Sequence, residues 1–188
     1  SYLANFVTQH LGLKHERYAI SSIPDFDARF LFVFLIAAVC LGLIGKLFAL
    51  GIKYVKLAYS KIFKNYLLAA AVGAAIVSLL IFALGLNNFE GLSTWMQNTA
   101  FKGDAKWYDM PAKYLLTVLT LGAGFQGGEV TPMFDMGASF GSWFGCVCGF
   151  DPTFFAAIGF VCVFAAAINT PITAIVLGIE VFGASAAP

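Results

Sequence analysis

Two long apolar stretches constrain the fold of this chain more than any other feature of its sequence. Tyr66 to Leu86 contains no charged residue, and Phe30 to Ile52 contains only Lys46. Each is long enough to cross the hydrocarbon core of a bilayer as a helix, which takes about 20 apolar residues. Charged residues make up 11% of the chain, less than half of the roughly 25% found in soluble domains. The sequence therefore predicts an all-α integral membrane protein.

The connection between these stretches predicts how the chain is oriented. It carries no acidic residue but four lysines, Lys53, Lys56, Lys61 and Lys64. Lys and Arg accumulate in the cytoplasmic loops of membrane proteins, so this connection is predicted to be cytoplasmic. Anionic lipid is an alternative reason for such a cluster. Asn87 opens a loop on the opposite side of the membrane, and Asp27 is predicted to cap the first helix.

Shorter helices are predicted in the rest of the chain. Ser1 to Leu13 has the composition of the end of an apolar helix, and Pro171 breaks the last apolar block because the residue before a proline avoids helical geometry. Phe89–Ala100 is amphipathic and too short to span a membrane, so it is predicted to lie at the surface or to form a partial helix. The other predicted segments are a helix restarted by Pro111 and continuing through Tyr114–Leu121, and helices at Thr131–Phe150, Thr153–Ile168 and Pro171–Val181. Glycines spaced four apart predict close packing of the Thr131–Phe150 helix, and they are Gly137, Gly141 and Gly145.

A glycine-rich break from Gly122 to Pro132 separates two of these helices and carries the candidate site. Gly124, Gly127 and Gly128 let the backbone adopt positive φ values and let other groups approach it closely. Pro132 suits the first turn of a helix, where a missing N–H removes no helical bond. The break is therefore predicted to lead into a helix N-terminus, whose unpaired N–H groups and partial positive charge favour an anion.

A tight re-entrant turn that binds nothing would give the same pattern of glycines and a proline. Glu129 argues against that interpretation, because an ionisable side chain between apolar segments is costly in a membrane and is usually functional. Helix N-termini that point at an anionic substrate are also a recurring feature of transporters.

A family resemblance supports the functional interpretation. Leu119 to Phe134, followed by Gly137-Ala138 and Gly141, resembles the GxFxP-type anion-binding motif of CLC chloride channels and transporters. With Glu129 and Thr131 at their positions, the motif is similar to that of the fluoride/proton antiporter branch. Chloride-transporting relatives usually carry an apolar residue in place of the glutamate. Ala165 to Ala174, followed by Gly178-Ile179-Glu180, also resembles the CLC sequence at this distance past the motif.

The resemblance implies the architecture. It predicts a CLC-like bundle of tilted and broken helices in which residues 1–188 form a partial transmembrane domain, about the second inverted repeat only. The first half of the family fold and its last helices are expected to be missing from this stretch. The resemblance further implies a homodimer in which each subunit has its own pore, in the cell (inner) membrane of a prokaryote.

It also implies the roles of the residues in the break. The expected anion-binding groups are the backbone N–H groups of residues 129–131 and the Thr131 hydroxyl, within the set Gly128, Glu129, Val130 and Thr131. Glu129, expected to be buried, would carry the proton, because a nearby anion favours the protonated form of a carboxyl group. The residues expected to shape the backbone are Gly124, Gly127 and Pro132. Asp135 departs from the family pattern and is expected either to line an aqueous vestibule or to pair with a lysine.

The expected function is therefore fluoride (halide)/proton antiport, with fluoride or chloride, protons and membrane lipid as partners. A chloride-selective CLC channel or exchanger and a non-transporting membrane subunit remain alternatives. We expect no enzyme, because HExxH and GxSxG patterns are absent. We expect no cofactor and no metal, since Cys146-x-Cys148 lacks the second ligand pair of a zinc site. No run of basic residues interleaved with aromatics suggests nucleic-acid binding.

Overall fold

A computed structural model describes residues 20–22 and 24–183, and throughout that part of the chain every regular element is a helix. The seven α-helices are α1 (Ala28–Ile62), α2 (Tyr66–Leu84), α3 (Thr94–Ala100), α4 (Asp109–Gly122), α5 (Val130–Cys148), α6 (Pro152–Ile168) and α7 (Pro171–Phe182). A short 3₁₀-helix, Asn87–Phe89, follows α2. The predicted helix at Ser1–Leu13 lies outside the described residues.

Helix α1 begins where the sequence predicts but ends ten residues later. Asp27 caps it, because the carboxylate oxygen Oδ1 accepts a hydrogen bond from the Ala28 N–H at 2.7 Å. The lysine-bearing segment after Ile52 was predicted as a connection, yet it continues the helix to Ile62. Lysine is a good helix former and no proline interrupts the segment, so nothing local ends the helix there. Only residues 63–65 connect α1 to α2.

Helix α2 is apolar but covered by little of the chain. Only Ala69 and Gly73 are buried among its 19 residues. Its length and composition allow it to cross a membrane, as do those of α1. An apolar helix with so little burial needs an apolar environment such as lipid around it, so its exposure agrees with the predicted membrane protein.

Helices α5 and α6 form the tightest packing in the chain. A Cβ at Gly137 would collide with the carbonyl of Gly159, and a Cβ at Gly141 would collide with the carbonyl of Phe155. Gly145 faces the Phe155 ring. The glycines spaced four apart therefore form the close packing face that was predicted, since side chains there would force the helices apart.

The boundary between α6 and α7 is also as predicted. Asn169 adopts a left-handed conformation (φ 60°) as the C-cap of α6, and Pro171 is the first residue of α7. Two other boundaries differ. The amphipathic segment Phe89–Ala100 is helical in α3 only from Thr94. Helix α4 begins at Asp109, so Pro111 is its third residue rather than its start, a position that still requires no N–H donor.

The N-terminus of α6 is fixed by a cap that was not predicted. The Asp151 oxygen Oδ1 accepts hydrogen bonds from the Thr153 N–H at 2.7 Å and from the Thr153 hydroxyl, and Oδ2 accepts one from the Ser22 hydroxyl at 2.7 Å. Partial burial opposes ionisation of this carboxyl, but the hydrogen bonds outweigh it and hold its pKa below the ordinary value of 3.8.

Candidate functional site

The glycine-rich break leads into α5 as an exposed, non-helical segment. Gly124 has φ 99°, a conformation that favours glycine, and it turns the chain out of α4. Residues 125–128 have no regular structure, and α5 begins at Val130. A Cβ at Gly128 would contact nothing within 4 Å in the chain. The absence of a side chain there leaves the peptide groups open to an approaching partner.

The N-terminus of α5 keeps its backbone donors available. Glu129 is the N-cap residue, and no side chain caps this end of the helix. The N–H groups of Glu129, Val130 and Thr131 lie at the start of the helix, where there is no helical carbonyl four residues earlier to accept them. Pro132 has no N–H. Several donors and the positive end of the helix dipole therefore converge on one place, as an anion site requires.

The side chain of Glu129 does not lie where the sequence predicted. It was expected to be buried, but it is exposed, as are all the residues from Phe125 to Val130. This exposure means that no other segment in the described part of the chain covers the side chain. Thr131, by contrast, is half-buried, and Pro132 is buried.

A cavity of about 680 Å³ lies beside this site. Gly127, Gly128 and Thr131 line one end of it, and the loop that follows α2 lines the other. The side walls come from α2 and α4. Three cavity-lining residues of α4 were not predicted from the sequence, namely Lys113, Thr117 and Thr120. Their spacing of four and three residues could have revealed them, because it places them on one face of a helix.

Asp135 pairs with a lysine, which was one of the two alternatives for it. Its Oδ2 lies 3.6 Å from the Lys113 Nζ, and its Oδ1 accepts a hydrogen bond from the Gln97 amide at 2.7 Å. The relative exposure of Asp135 is 0%, so it does not line a vestibule within the described part of the chain. Buried charges are stable when paired and hydrogen-bonded. Here Oδ1 is hydrogen-bonded, whereas Oδ2 has the lysine at ion-pair distance and no hydrogen bond within the described part of the chain.

The residues that could hold a metal do not converge. Within residues 20–22 and 24–183, no three His, Cys, Asp or Glu side chains are grouped as a metal site. The four cysteines are free thiols. The polar groups near the break include backbone N–H groups, the Thr131 hydroxyl and the Glu129 carboxyl group.

Two apolar helices of membrane length are features of a membrane protein. The connection between α4 and α5 is broken and leads to an uncapped helix N-terminus beside a partly polar cavity. Comparison with known proteins gives the family. The sequence profile of the family described as "Voltage gated chloride channel" matches residues 1–187. The chain therefore belongs to the CLC voltage-gated chloride channel family, as its motif indicated.

The relatives include proteins described for both halides. The chain is 31% identical, over 192 aligned residues, to the chloride/fluoride channel protein of Pseudomonas syringae pv. tomato, an alignment that covers 99% of this chain and 42% of the relative. It is 28% identical over 178 residues to the H(+)/Cl(-) exchange transporter ClcA of Vibrio cholerae, covering 86% of this chain and 38% of the relative.

A solved structure confirms the fold. The crystal structure of a CLC-type fluoride/proton antiporter superposes with a TM-score of 0.89 at 32% identity, over 96% of this chain and 46% of that chain. The chain thus spans less than half the length of the relatives it matches. The predicted CLC-like bundle, limited to part of the subunit, is confirmed.

Proposed function

We propose that the protein carrying this chain exchanges fluoride for protons across a membrane and holds the anion at the N-terminus of α5. The observation that carries this proposal is the exposed glycine approach to an uncapped helix, with Glu129 at the N-cap and Thr131 one residue inside the helix. Likeness to an antiporter described for fluoride and protons supports the choice of ions.

Fluoride is small and strongly hydrated, so a site for it must replace its water shell with converging donors. The N–H groups of Glu129, Val130 and Thr131 and the Thr131 hydroxyl provide such donors. Gly128 has no side chain, so an anion can approach its backbone closely. Gly124, Gly127 and Pro132 set the direction of the backbone around the site.

Glu129 is proposed as the proton carrier. Its carboxyl belongs to the same N-cap residue whose N–H faces the anion site, so its charge and the anion repel each other. Protonation removes that repulsion, and binding of the anion favours protonation, which couples the two ions. Its exposure leaves it open to exchange protons with water or with groups from the rest of the protein.

The remaining proposals concern the complete protein. It would act as a transporter and not as an enzyme, form a homodimer with a pore in each subunit, and reside with membrane lipid in the inner membrane of a prokaryote. Residues 1–188 would be a partial transmembrane domain of that subunit. The bacterial origin of both relatives supports the prokaryotic source.

Chloride transport is the second candidate, favoured by the 28% identity to a proton/chloride exchanger. Ion selectivity separates the two. The complete protein, reconstituted into vesicles loaded with either halide, should release fluoride with coupled proton uptake and release much less chloride. Faster release of chloride than of fluoride would establish the alternative.

Glu129→Gln tests the proton carrier in the same vesicles. Since glutamine keeps the size of the side chain but cannot take up a proton, we expect coupled proton movement to be lost. Glu180→Gln is the control, because Glu180 is an exposed acid on α7 outside the site. Wild-type coupling in Glu129→Gln, or an equal loss in both variants, would overturn the assignment.

A further inference from the structure

Helix α1 is longer than a membrane requires, and its last turns carry lysines. It has 35 residues. At about 1.5 Å per residue it extends about 50 Å, whereas the hydrocarbon core of a bilayer is about 30 Å thick. Because the lysine-bearing segment from Lys53 to Ile62 is helical and not a loose connection, the helix fixes the direction in which each lysine leaves the backbone.

Four lysines lie on one face of α1, which we call the basic face. They are Lys46, Lys53, Lys56 and Lys61, and all four are exposed. At about 3.6 residues per turn, they lie within about 140° of the helix circumference. Helix α1 contains no acidic residue, and in the described part of the chain none of the four lysines has an acidic partner. The basic face therefore carries positive charge that the described residues do not neutralise.

The other side of the same helical segment packs against the protein. A Cβ at Gly51 would collide with the Tyr114 hydroxyl, and a Cβ at Gly122 would collide with the Val55 side chain. The Tyr114 hydroxyl also donates to the Leu47 carbonyl at 3.1 Å. Gly51 and Val55 are four residues apart and share the side of α1 opposite the basic face. This packing against α4 directs the basic face outwards.

Exposed apolar side chains continue the basic face towards the centre of the helix. Val39 and Leu43 lie about two turns and one turn before Lys46, and Leu57 lies among the lysines. A phospholipid has the same order of groups, because its acyl chains lie below its phosphate. Lysine suits such a surface, since its stem can lie along apolar groups while its ammonium group reaches the headgroups.

From this arrangement we infer that the basic face binds an anionic phospholipid, with its lysines around the lipid phosphate and Val39 and Leu43 along the acyl chains. Charge selects this partner, because an anionic headgroup is attracted to a basic segment at the membrane surface. The positive-inside rule accounts for the side of the membrane on which the lysines lie, but it does not require them to share one outward helix face. The inference goes beyond the proposed function and holds for either halide.

Native mass spectrometry of the complete protein in detergent tests the inference. The protein is titrated with phosphatidylglycerol and with phosphatidylcholine of the same acyl chains, and the Kd values are compared. Since each lysine near an anionic surface contributes about fivefold in affinity, we expect phosphatidylglycerol to bind at least about tenfold more tightly. Glycerol phosphate, which has the phosphate but no acyl chains, should not displace the lipid at equal concentration.

Two double variants show whether the basic face is the site. Lys53→Gln/Lys56→Gln removes two charges but keeps good helix formers, and it should weaken phosphatidylglycerol binding by about tenfold. Lys53→Arg/Lys56→Arg, which keeps the charges, should bind like the wild type. Lys102→Gln/Lys106→Gln is the matched control, because it removes two exposed lysines outside the basic face and should change little.

Salt gives a second measurement that needs no substitution. Because salt screens exposed charges, an increase of about tenfold in ammonium acetate should reduce the preference for phosphatidylglycerol. Equal binding of the two lipids, or equal losses in the two glutamine variants, would overturn the inference. Displacement by glycerol phosphate would also overturn it, since it would assign the lysines to a soluble phosphate. None of these outcomes depends on whether the protein exchanges fluoride for protons.

Discussion

Glu129 and Asp135 are six residues apart, yet they occupy opposite environments. Glu129 is exposed at an uncapped helix N-terminus, whereas Asp135 is completely buried, hydrogen-bonded to Gln97 and paired with Lys113. A carboxyl group in an apolar sequence therefore has two distinct explanations. One with partners stabilises the packing around it, and one that remains open can exchange protons.

The largest expected effect comes from breaking the buried pair. Asp135→Asn leaves Lys113 buried without its counter-charge, and removing one partner of such a pair typically costs about 3–5 kcal/mol. Thermal unfolding of the complete protein in detergent should show this as a large fall in Tm. The double variant Lys113→Met/Asp135→Leu should recover much of the loss, because it leaves no unpaired charge.

If Asp135→Asn unfolded at the wild-type temperature, the ion pair would not contribute to stability. The carboxyl group would then need another role, and the contrast with Glu129 would disappear.

The backbone around Glu129 could be predicted from the sequence better than the partners of Asp135. The glycine break, the uncapped start of α5 and Pro132 in its first turn follow from local backbone chemistry, so they could be predicted. The cluster of Gln97, Lys113 and Asp135 could not be predicted, because its side chains come from three different helices. Asp135 alone suggested a lysine partner, but eleven lysines and arginines were available.

The boundaries of the helices show the same limit. The caps at Asp27 and Asn169 are local and lie at or next to predicted boundaries. The predicted end of α1 was wrong by ten residues. Lysines are common at the edge of a membrane, but they also fit within a helix, so they do not show where it ends. The exposure of Glu129 depends on which other chain segments cover it, and the sequence around it does not contain that information.

A medium effect is expected at Asp151, which is an N-cap residue like Glu129 but uses its side chain as a cap. Asp151→Ala should cost about 1 kcal/mol, the usual value for losing a capping side chain. Glu129→Ala should cost less, because its side chain caps nothing. Equal losses of Tm in the two variants would contradict this distinction between the two helix ends.

The pH dependence sharpens this prediction. Hydrogen bonds hold the pKa of Asp151 below 3.8 in the folded protein, so the folded state binds fewer protons than the unfolded state in this range. Its contribution is complete above the unfolded pKa and is lost as the pH falls through the folded pKa. The difference in Tm between wild type and Asp151→Ala should therefore shrink on acidification below about pH 4. A constant difference would exclude this linkage.

The smallest expected change in stability belongs to Glu129→Gln. Substitutions at exposed sites usually change the free energy of unfolding by no more than about 0.5 kcal/mol. A variant that loses proton coupling while its Tm stays near the wild-type value would separate Glu129 from Asp135 most clearly. A Tm loss as large as that of Asp135→Asn would show that Glu129 is also structural.

Uphill proton movement is the most direct test of fluoride/proton exchange. Vesicles containing the complete protein are given an outward fluoride gradient and no initial pH gradient, and the internal pH is followed. An antiporter predicts that fluoride leaving the vesicles drives protons inward against the growing pH difference, and that Glu129→Gln abolishes this movement. Fluoride efflux with no internal acidification, under a clamped membrane potential, would contradict the coupling of fluoride to protons.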